Sequence, residues 1–502
     1  MKTEFQSRGA LSPQKRRLLA LMLEKKGVRL AESAVIQPRR ERGPCPLSFA
    51  QERTWFFEQL ESGTAAYNVP AAVRFSGALN IEALRQSLTE IMRRHEALRA
   101  VFHHVDGVPF QSSGPERQLV LPVIDLRALD PSDREEEMLP LIRREIERPF
   151  DLETGPLLRC CLWQLGERDY VALMVTHHIA SDGWSIHLLF GELAALYEVA
   201  GRGEQSPLPE LAIQYSDFAD WQRSWFKGNV LADHLDYWKR QLAANQATSS
   251  LPTDHPRGTS RTLRGARSVI LLSAELTAEL KQLSIREDST LFMVTLAAFK
   301  TLMHRLCWLE EITVGSPIAN RNRAETEGLI GFFVNTLILR TNLAGNPEFR
   351  ELLRRVKEVT LGAYAHQDMP LDQLVDAIHL KRDIREHPLF QIFFALNNNP
   401  TPSVEMAGVG ITPMRIDNGI AKFDIEISLI ERDEGMVVTA IYNADLFERS
   451  SIESLLARYE KVLSGVARNP AARLLDIDLD ENGGGQPEDA QDFLDDALFA
   501  FE

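Results

Sequence analysis

The residues best suited to chemistry lie in VTHHIASDGWS, residues 175–185: two adjacent histidines, followed at a fixed distance by Asp182 and Gly183. A neutral imidazole accepts or relays a proton near pH 7. A glycine opening a helix leaves unpaired backbone N–H groups beside it, and such donors can stabilise an oxyanion. A lone histidine is more often a satisfied core residue. The pair with Asp-Gly at this spacing is rarer, arising by chance on the order of once in a thousand chains of this composition. HHxxxD offers two metal ligands, but no third follows at a recognisable spacing, so no metal is expected. Ser185 has no GxSxG around it, which argues against a serine nucleophile.

The elements that must position these groups are readable on both sides. RDYVALMVTHH reads as a buried strand and GWSIHLLFGELAALYEVA as the helix after the turn at Asp182-Gly183. Neighbouring side chains in a strand point to opposite faces, so His177 and His178 cannot both line one cavity. One ring is structural and the other faces a cleft; the period alone does not say which.

Helices and strands alternate through the rest of the chain. IEALRQSLTEIMRRHEALRAVF has helical spacing at Leu84, Leu88, Ile91 and Leu98. Helices at LADHLDYWKRQLA, SAELTAELKQLS, STLFMVTLAAFKTLMHRL and SSIESLLARYEKVLSGVA interleave with strands at SVILL, EITVGSPIA, VNTLILR and QIFFALN. The pattern predicts an α/β protein with two lobes, residues 47–225 and 226–480. Residues 1–46 hold an amphipathic helix at 12–26, capped by Ser12 and stopped by Gly27, and then a polar linker.

Residues 481–502 are different in kind. After GGGQP, an acidic stretch places Phe493, Leu494, Ala497, Leu498 and Phe501 on one helical face. So short a segment cannot bury that face on itself. It is expected to fold on docking, with Phe493, Leu494, Leu498 and Phe501 as contacts; a solubilising tail is the plainer reading.

Composition narrows the class. The 502 residues are 44% hydrophobic and 25% charged, as in soluble globular proteins. A formal net charge of −15 argues against nucleic acid or an anionic membrane as partner. No stretch approaches the roughly 20 apolar residues of a membrane span. Cys45, Cys160, Cys161 and Cys307 show no CxxC or metal spacing, which fits a reducing, cytoplasmic setting.

HHIASDGWS resembles the HHxxxDG motif of nonribosomal peptide synthetase condensation domains, and the resemblance spreads in the family's order. LSFAQERTWFFEQL from Leu47, RRHEALRAVF from Arg93 and YSDFADWQ from Tyr215 are similar to its first, second and fourth motifs. LIGFFVNTLILR from Leu329, AHQDMPLDQL from Ala365 and RDIREHPLFQ from Arg382 are similar to the fifth, sixth and seventh.

The resemblance implies two chloramphenicol-acetyltransferase-like lobes arranged as a V, with a tunnel between them. A donor carrier protein brings an acyl or peptidyl thioester to one mouth, and an acceptor carrier brings an aminoacyl thioester to the other. Both substrates ride on phosphopantetheine, and the chain itself binds no cofactor. His178 matches the histidine assigned to the channel. His177, Asp182 and Gly183 would shape its loop, with Arg99 as the candidate partner of Asp182. Ser185 and Asn335 are candidates for the tunnel or the crossover between lobes.

The opening motif is similar to the subtype that joins an L-configured donor to an L-aminoacyl acceptor. Without an adenylation stretch or GGxS-type carrier site, the chain reads as a stand-alone enzyme or one cut from a larger synthetase; working in trans, it would dock through its acidic tail to a basic domain on another synthetase polypeptide. Two other readings stay open: an acyltransferase of the same fold using a soluble amine or alcohol, and a non-catalytic docking module.

Overall fold

A computed structural model describes residues 35–479, apart from 61–62, 244–250, 259–261, 379–387, 398–404, 407, 415 and 417–418. The helix expected at 12–26 and the docking candidates Phe493, Leu494, Leu498 and Phe501 lie outside the described residues. Two six-stranded mixed sheets dominate the fold.

The first sheet is centred on β1 (Asn68–Ser76), β2 (Leu158–Gly166) and β3 (Asp169–His177). β3 pairs antiparallel with both of the others. Every residue from Tyr170 to His177 is buried, because the sheet is covered on both faces. Ala172 and Met174 pack against Leu189, Leu193 and Leu88 on one side. Val171, Leu173 and Val175 pack against Met138, Ile142 and Ile146 on the other. The period-2 alternation of a strand thus feeds two cores, each large aliphatic side chain contributing about 2 kcal/mol of burial. β3 runs into α1 (Gly183–Ala200), whose N-cap Asp182 accepts from the Ser185 N–H.

The helix expected over residues 81–102 is shorter. It runs Ile81–Arg94, capped by Asn80, then breaks into a 3-10 turn at Glu96–Arg99 and a strand at Ala100–Val105. His95 causes the break: its backbone is extended, and its ring is drawn inward between Glu192 and the Ile330 N–H.

The second sheet orders β4 (Gly265–Ser273), β5 (Glu311–Ile318), β6 (Asn335–Asn342), β7 (Ile392–Asn397), β9 (Ile425–Arg432) and β10 (Gly435–Asn443) as β6-β5-β7-β9-β10-β4. Its core surrounds the helix Leu291–Cys307, which is buried continuously from Met293 to His304. The division at residue 225 does not hold for the sheets. Strand β8 (Val409–Met414), from the second half, pairs with β1 in the first sheet, Met414 opposite Ala72 and Gly410 opposite Ser76. Among the described residues no helix is long and apolar enough to cross a membrane.

Candidate active site

Strand β3 ends at His177, and the two rings part company there. His177 Nδ1 accepts from the Ile179 N–H (3.1 Å), so its ring proton sits on Nε2 and is donated to buried Glu58 (3.2 Å). Tyr67 and Phe150 pack against the same ring. His177 is therefore a core histidine that fixes the end of the strand.

His178 begins a 3-10 turn and faces the other way. Its backbone N–H donates to Tyr67 O (2.8 Å), and Nδ1 lies 2.8 Å from Ser181 O. A carbonyl only accepts, so Nδ1 carries the proton and Nε2 keeps an open lone pair. The ring lines a cavity of about 170 Å³ between the two sheets and leans on Phe332, with centroids 4.5 Å apart. Burial, reinforced by the nearby Lys422 ammonium, pushes its pKa down to about 3. The imidazole is thus neutral at physiological pH, with one edge pinned and the other presented to the cavity.

Asp182 does not line this cavity. One carboxylate oxygen accepts from Ser185 N (2.9 Å) and from Arg321 Nη2 (3.1 Å), and lies 2.7 Å from Ser185 Oγ; the other accepts from Phe333 N (3.0 Å). Arg321 is buried with it and donates to Leu329 O as well (2.7 Å), its guanidinium lying over the Phe333 ring. The partner expected for Asp182 was Arg99, and the structure corrects this. Arg99 closes the 3-10 turn before a small three-stranded sheet, and its guanidinium donates to Ser113 and to Gly114 O at the end of that sheet's central strand. Arg321 is 139 residues from Asp182, a pairing that spacing cannot reveal.

Ser185 is likewise not a tunnel residue. It is completely buried, its Oγ 2.9 Å from Gly331 O and accepting from Gly331 N (3.1 Å). It clamps the crossover segment 327–334, as do Trp184 to Glu327 O (3.0 Å), the Ile330 N–H to His95 Nδ1 (3.2 Å) and Tyr215 to Phe332 O (2.5 Å). Gly331 must be glycine, because a Cβ there would lie 2.0 Å from the Tyr215 ring. The clamp holds Phe332 against His178.

Gly183 and Asn335 do line the cavity. Asn335 commits both amide hydrogens elsewhere, donating to Gln367 O (2.8 Å) and Met369 O (2.7 Å). It braces the loop that carries Asp368 into the cavity. Arg53 and Asp368, which also line it, lie within the first and sixth motifs, though nothing singled them out there, and no motif covers Lys422 or Glu426. The trace of Lys422 was composition: it interrupts the otherwise apolar GIAKF. Among the described residues, no three His, Cys, Asp or Glu side chains are grouped to hold a metal ion.

Comparison with known proteins gives the family. The model of the "Condensation domain" family matches residues 41–483. The chain belongs to the condensation-domain family. It is 42% identical over 465 residues to a linear gramicidin synthase polypeptide of Brevibacillus parabrevis, covering 92% of this chain and 6% of that protein. It is 38% identical to phosphinothricin tripeptide synthetase PhsC of Streptomyces viridochromogenes, covering 93% of this chain and 43% of the relative. The condensation domain thus spans less than half the length of these relatives.

Among solved structures, it is similar to the X-domain from teicoplanin biosynthesis, with a TM-score of 0.81 and 24% identity, covering 89% of this chain and all of that one. SgcC5 from Streptomyces globisporus gives a TM-score of 0.70 at 26% identity, covering 85% of this chain and all of that one. The two-lobed, chloramphenicol-acetyltransferase-like α/β fold expected from the motifs is the fold of this condensation domain.

Proposed function

We propose that this condensation domain joins an acyl or peptidyl thioester on a donor carrier protein to the amine of an aminoacyl thioester on an acceptor carrier, forming an amide. The observation that carries the reading is His178, a neutral ring with Nδ1–H held by Ser181 and an open Nε2 in a cavity between the lobes. No cofactor belongs to the chain; phosphopantetheine arrives on the carriers. The reaction is of the acyltransferase kind, in the subtype joining two L-configured substrates. Carriers are met noncovalently, with the acidic tail docking on a basic partner domain through Phe493, Leu494, Leu498 and Phe501, in a cytoplasmic setting.

The chemistry needs only a modest base. A thioester is already activated, and an α-amine with a pKa near 8 is about a tenth neutral at pH 7. With a pKa of about 3, His178 carries a proton in only roughly one molecule in 10⁴ at pH 7. It therefore works by accepting a hydrogen bond from the amine, and takes the proton as nitrogen becomes positive during attack. Holding amine and thioester in line supplies much of the remaining rate.

A second reading has one observation in its favour. SgcC5 has been solved with (R)-(-)-1-(2-naphthyl)-1,2-ethanediol, a free diol. A soluble amine or alcohol acceptor, giving an amide or ester, is therefore the alternative for this chain.

Intact-protein mass spectrometry of loaded donor and acceptor carriers, with wild type and His178→Ala, tests both. Condensation predicts product mass on the acceptor carrier and a fall of about a hundredfold or more in the variant. Product formed only with free amine or alcohol moves the chain to the second reading. Carrier binding without turnover makes it a docking module.

A further inference from the structure

Beyond the helix start at Gly183 on the cavity wall, the mechanism so far has assigned no donor to one developing charge. As the amine attacks, the thioester carbonyl oxygen becomes an oxyanion, and a buried oxyanion needs a donor aimed at it. His178 cannot serve: its ring proton is committed to Ser181 O, and Nε2 is an acceptor. Asn335 cannot serve, since both its amide hydrogens go to backbone carbonyls. Thr54 donates to Ala50 O (3.2 Å), and the Ser48 hydroxyl lies 2.8 Å from the Tyr215 hydroxyl.

Two cations line the cavity, Arg53 and Lys422. Arg53 faces Asp372, which also lines it, at 3.8 Å. Lys422 has no carboxylate within ion-pair distance among the described residues, and its charge is felt at His178.

The backbone on both sides of Lys422 is firmly held. The Ala421 N–H donates to Leu263 O (2.9 Å), and the Gly265 N–H to Gly419 O (2.7 Å). The two segments run so close that a Cβ on Gly265 would lie 2.6 Å from the Ile420 carbonyl carbon. On the other side, Phe423 stacks on Phe393 with centroids 4.7 Å apart and planes within 4°. Asp424 is paired with Arg257, and its N–H donates to Gln391 O (3.1 Å). A lysine on so fixed a backbone, half-buried at the cavity wall and without a carboxylate partner among the described residues, is placed to donate into the cavity.

We propose that Lys422 is a catalytic residue whose ammonium donates a hydrogen bond to the thioester carbonyl oxygen as it becomes the oxyanion. The proposal rests on the condensation reading above. In the step, the amine lone pair forms the C–N bond while the C=O π electrons move to oxygen, which Lys422 stabilises. The amine proton passes to His178 Nε2. Collapse restores C=O and breaks the C–S bond, and the departing thiolate takes the proton from His178. One amide and one free thiol result, and Lys422 transfers no proton.

The test is a single-turnover and steady-state comparison of wild type, Lys422→Met, Lys422→Gln and Lys422→Arg, using the loaded carrier pair that wild type turns over. The neutral variants are expected to lose about a hundredfold or more in kcat, as removal of an oxyanion donor does. KM for each carrier should stay within about threefold, because the interaction strengthens only in the transition state. Lys422→Arg, which keeps a charged donor, should retain more kcat than either. Glutamine and methionine are both included so that one folded neutral variant is in hand, checked by its melting curve. Neutral variants within about threefold of wild-type kcat, or a loss confined to KM, would overturn the assignment while leaving the condensation reading intact. No product from wild type with any carrier pair removes that reading, and the role of Lys422 falls with it.

Discussion

Replacing Arg321 with methionine should open the crossover segment locally before it affects anything else. The side chain is only 1% exposed, and its guanidinium donates to Asp182, Ser185 and Leu329 O. Removing one member of a buried ion pair leaves the other charge uncompensated, a loss of about 3–5 kcal/mol. Asp182 keeps its Ser185 and Phe333 N–H donors in the variant, which favours the lower end. Hydrogen exchange is the right assay, because a two-lobed chain of this size is not a safe two-state unfolder.

The reporters are the amides of residues 327–334, in particular Gly331 and Phe333, which donate into the network. At about 1.4 kcal/mol per factor of ten, exchange there should speed up by roughly a hundredfold to a few thousandfold. The double variant Asp182→Asn, Arg321→Met removes both charges, so its loss should be smaller than the sum of the single losses. Pairing Asp182→Asn with Arg99→Met should instead be additive to within about 0.5 kcal/mol, since Arg99 bonds the end of a strand in another sheet. Unchanged exchange in Arg321→Met, or additivity with Asp182→Asn, would refute the reasoning.

Two further outcomes follow. The His178 pKa is depressed on folding, from the ordinary 6.5 to about 3, so the unfolded chain binds more protons between these values. Stability should therefore rise with pH across that window, by up to about 1.4 kcal/mol per pH unit, and be lost on acidification below about 6.5. Melting curves of wild type against His178→Phe should show a shallower slope in the variant; equal slopes would contradict the buried, neutral ring. Gly331→Ala drives a methyl group into the Tyr215 ring and should lower stability by about 1–3 kcal/mol or more, with faster exchange at Phe332 and Phe333, which a thermal melt and the same exchange assay would show.

Local patterns were legible where a single segment carries its own reason. The buried run DYVALMVTH is strand β3, and GWSIHLLFGELAALYEVA is helix α1 over the same residues, because alternation, an Asp N-cap and a glycine start are properties of adjacent residues. The opposite facing of His177 and His178 followed from the pleat alone, and one ring does go to the core while the other reaches the cavity. His95 shows the limit of such reading: helical spacing ran on through it, but a buried carboxylate and a distant backbone N–H pulled the chain out of the helix.

The remainder of the site depends on contacts between segments far apart in the chain. Arg321 rather than Arg99 meets Asp182, and Ser185 clamps the crossover instead of facing substrate. Strand β8 leaves its own half to pair with β1. Each of these is a choice among residues of suitable type, and spacing has no term for which of them folding brings near. The sequence by itself determined the family, the motif and the separation of its two rings, because those are encoded by neighbours along one strand and turn. Only the tertiary structure decided which charges meet, since the low-dielectric interior makes a buried charge dependent on the partner that packing delivers to it.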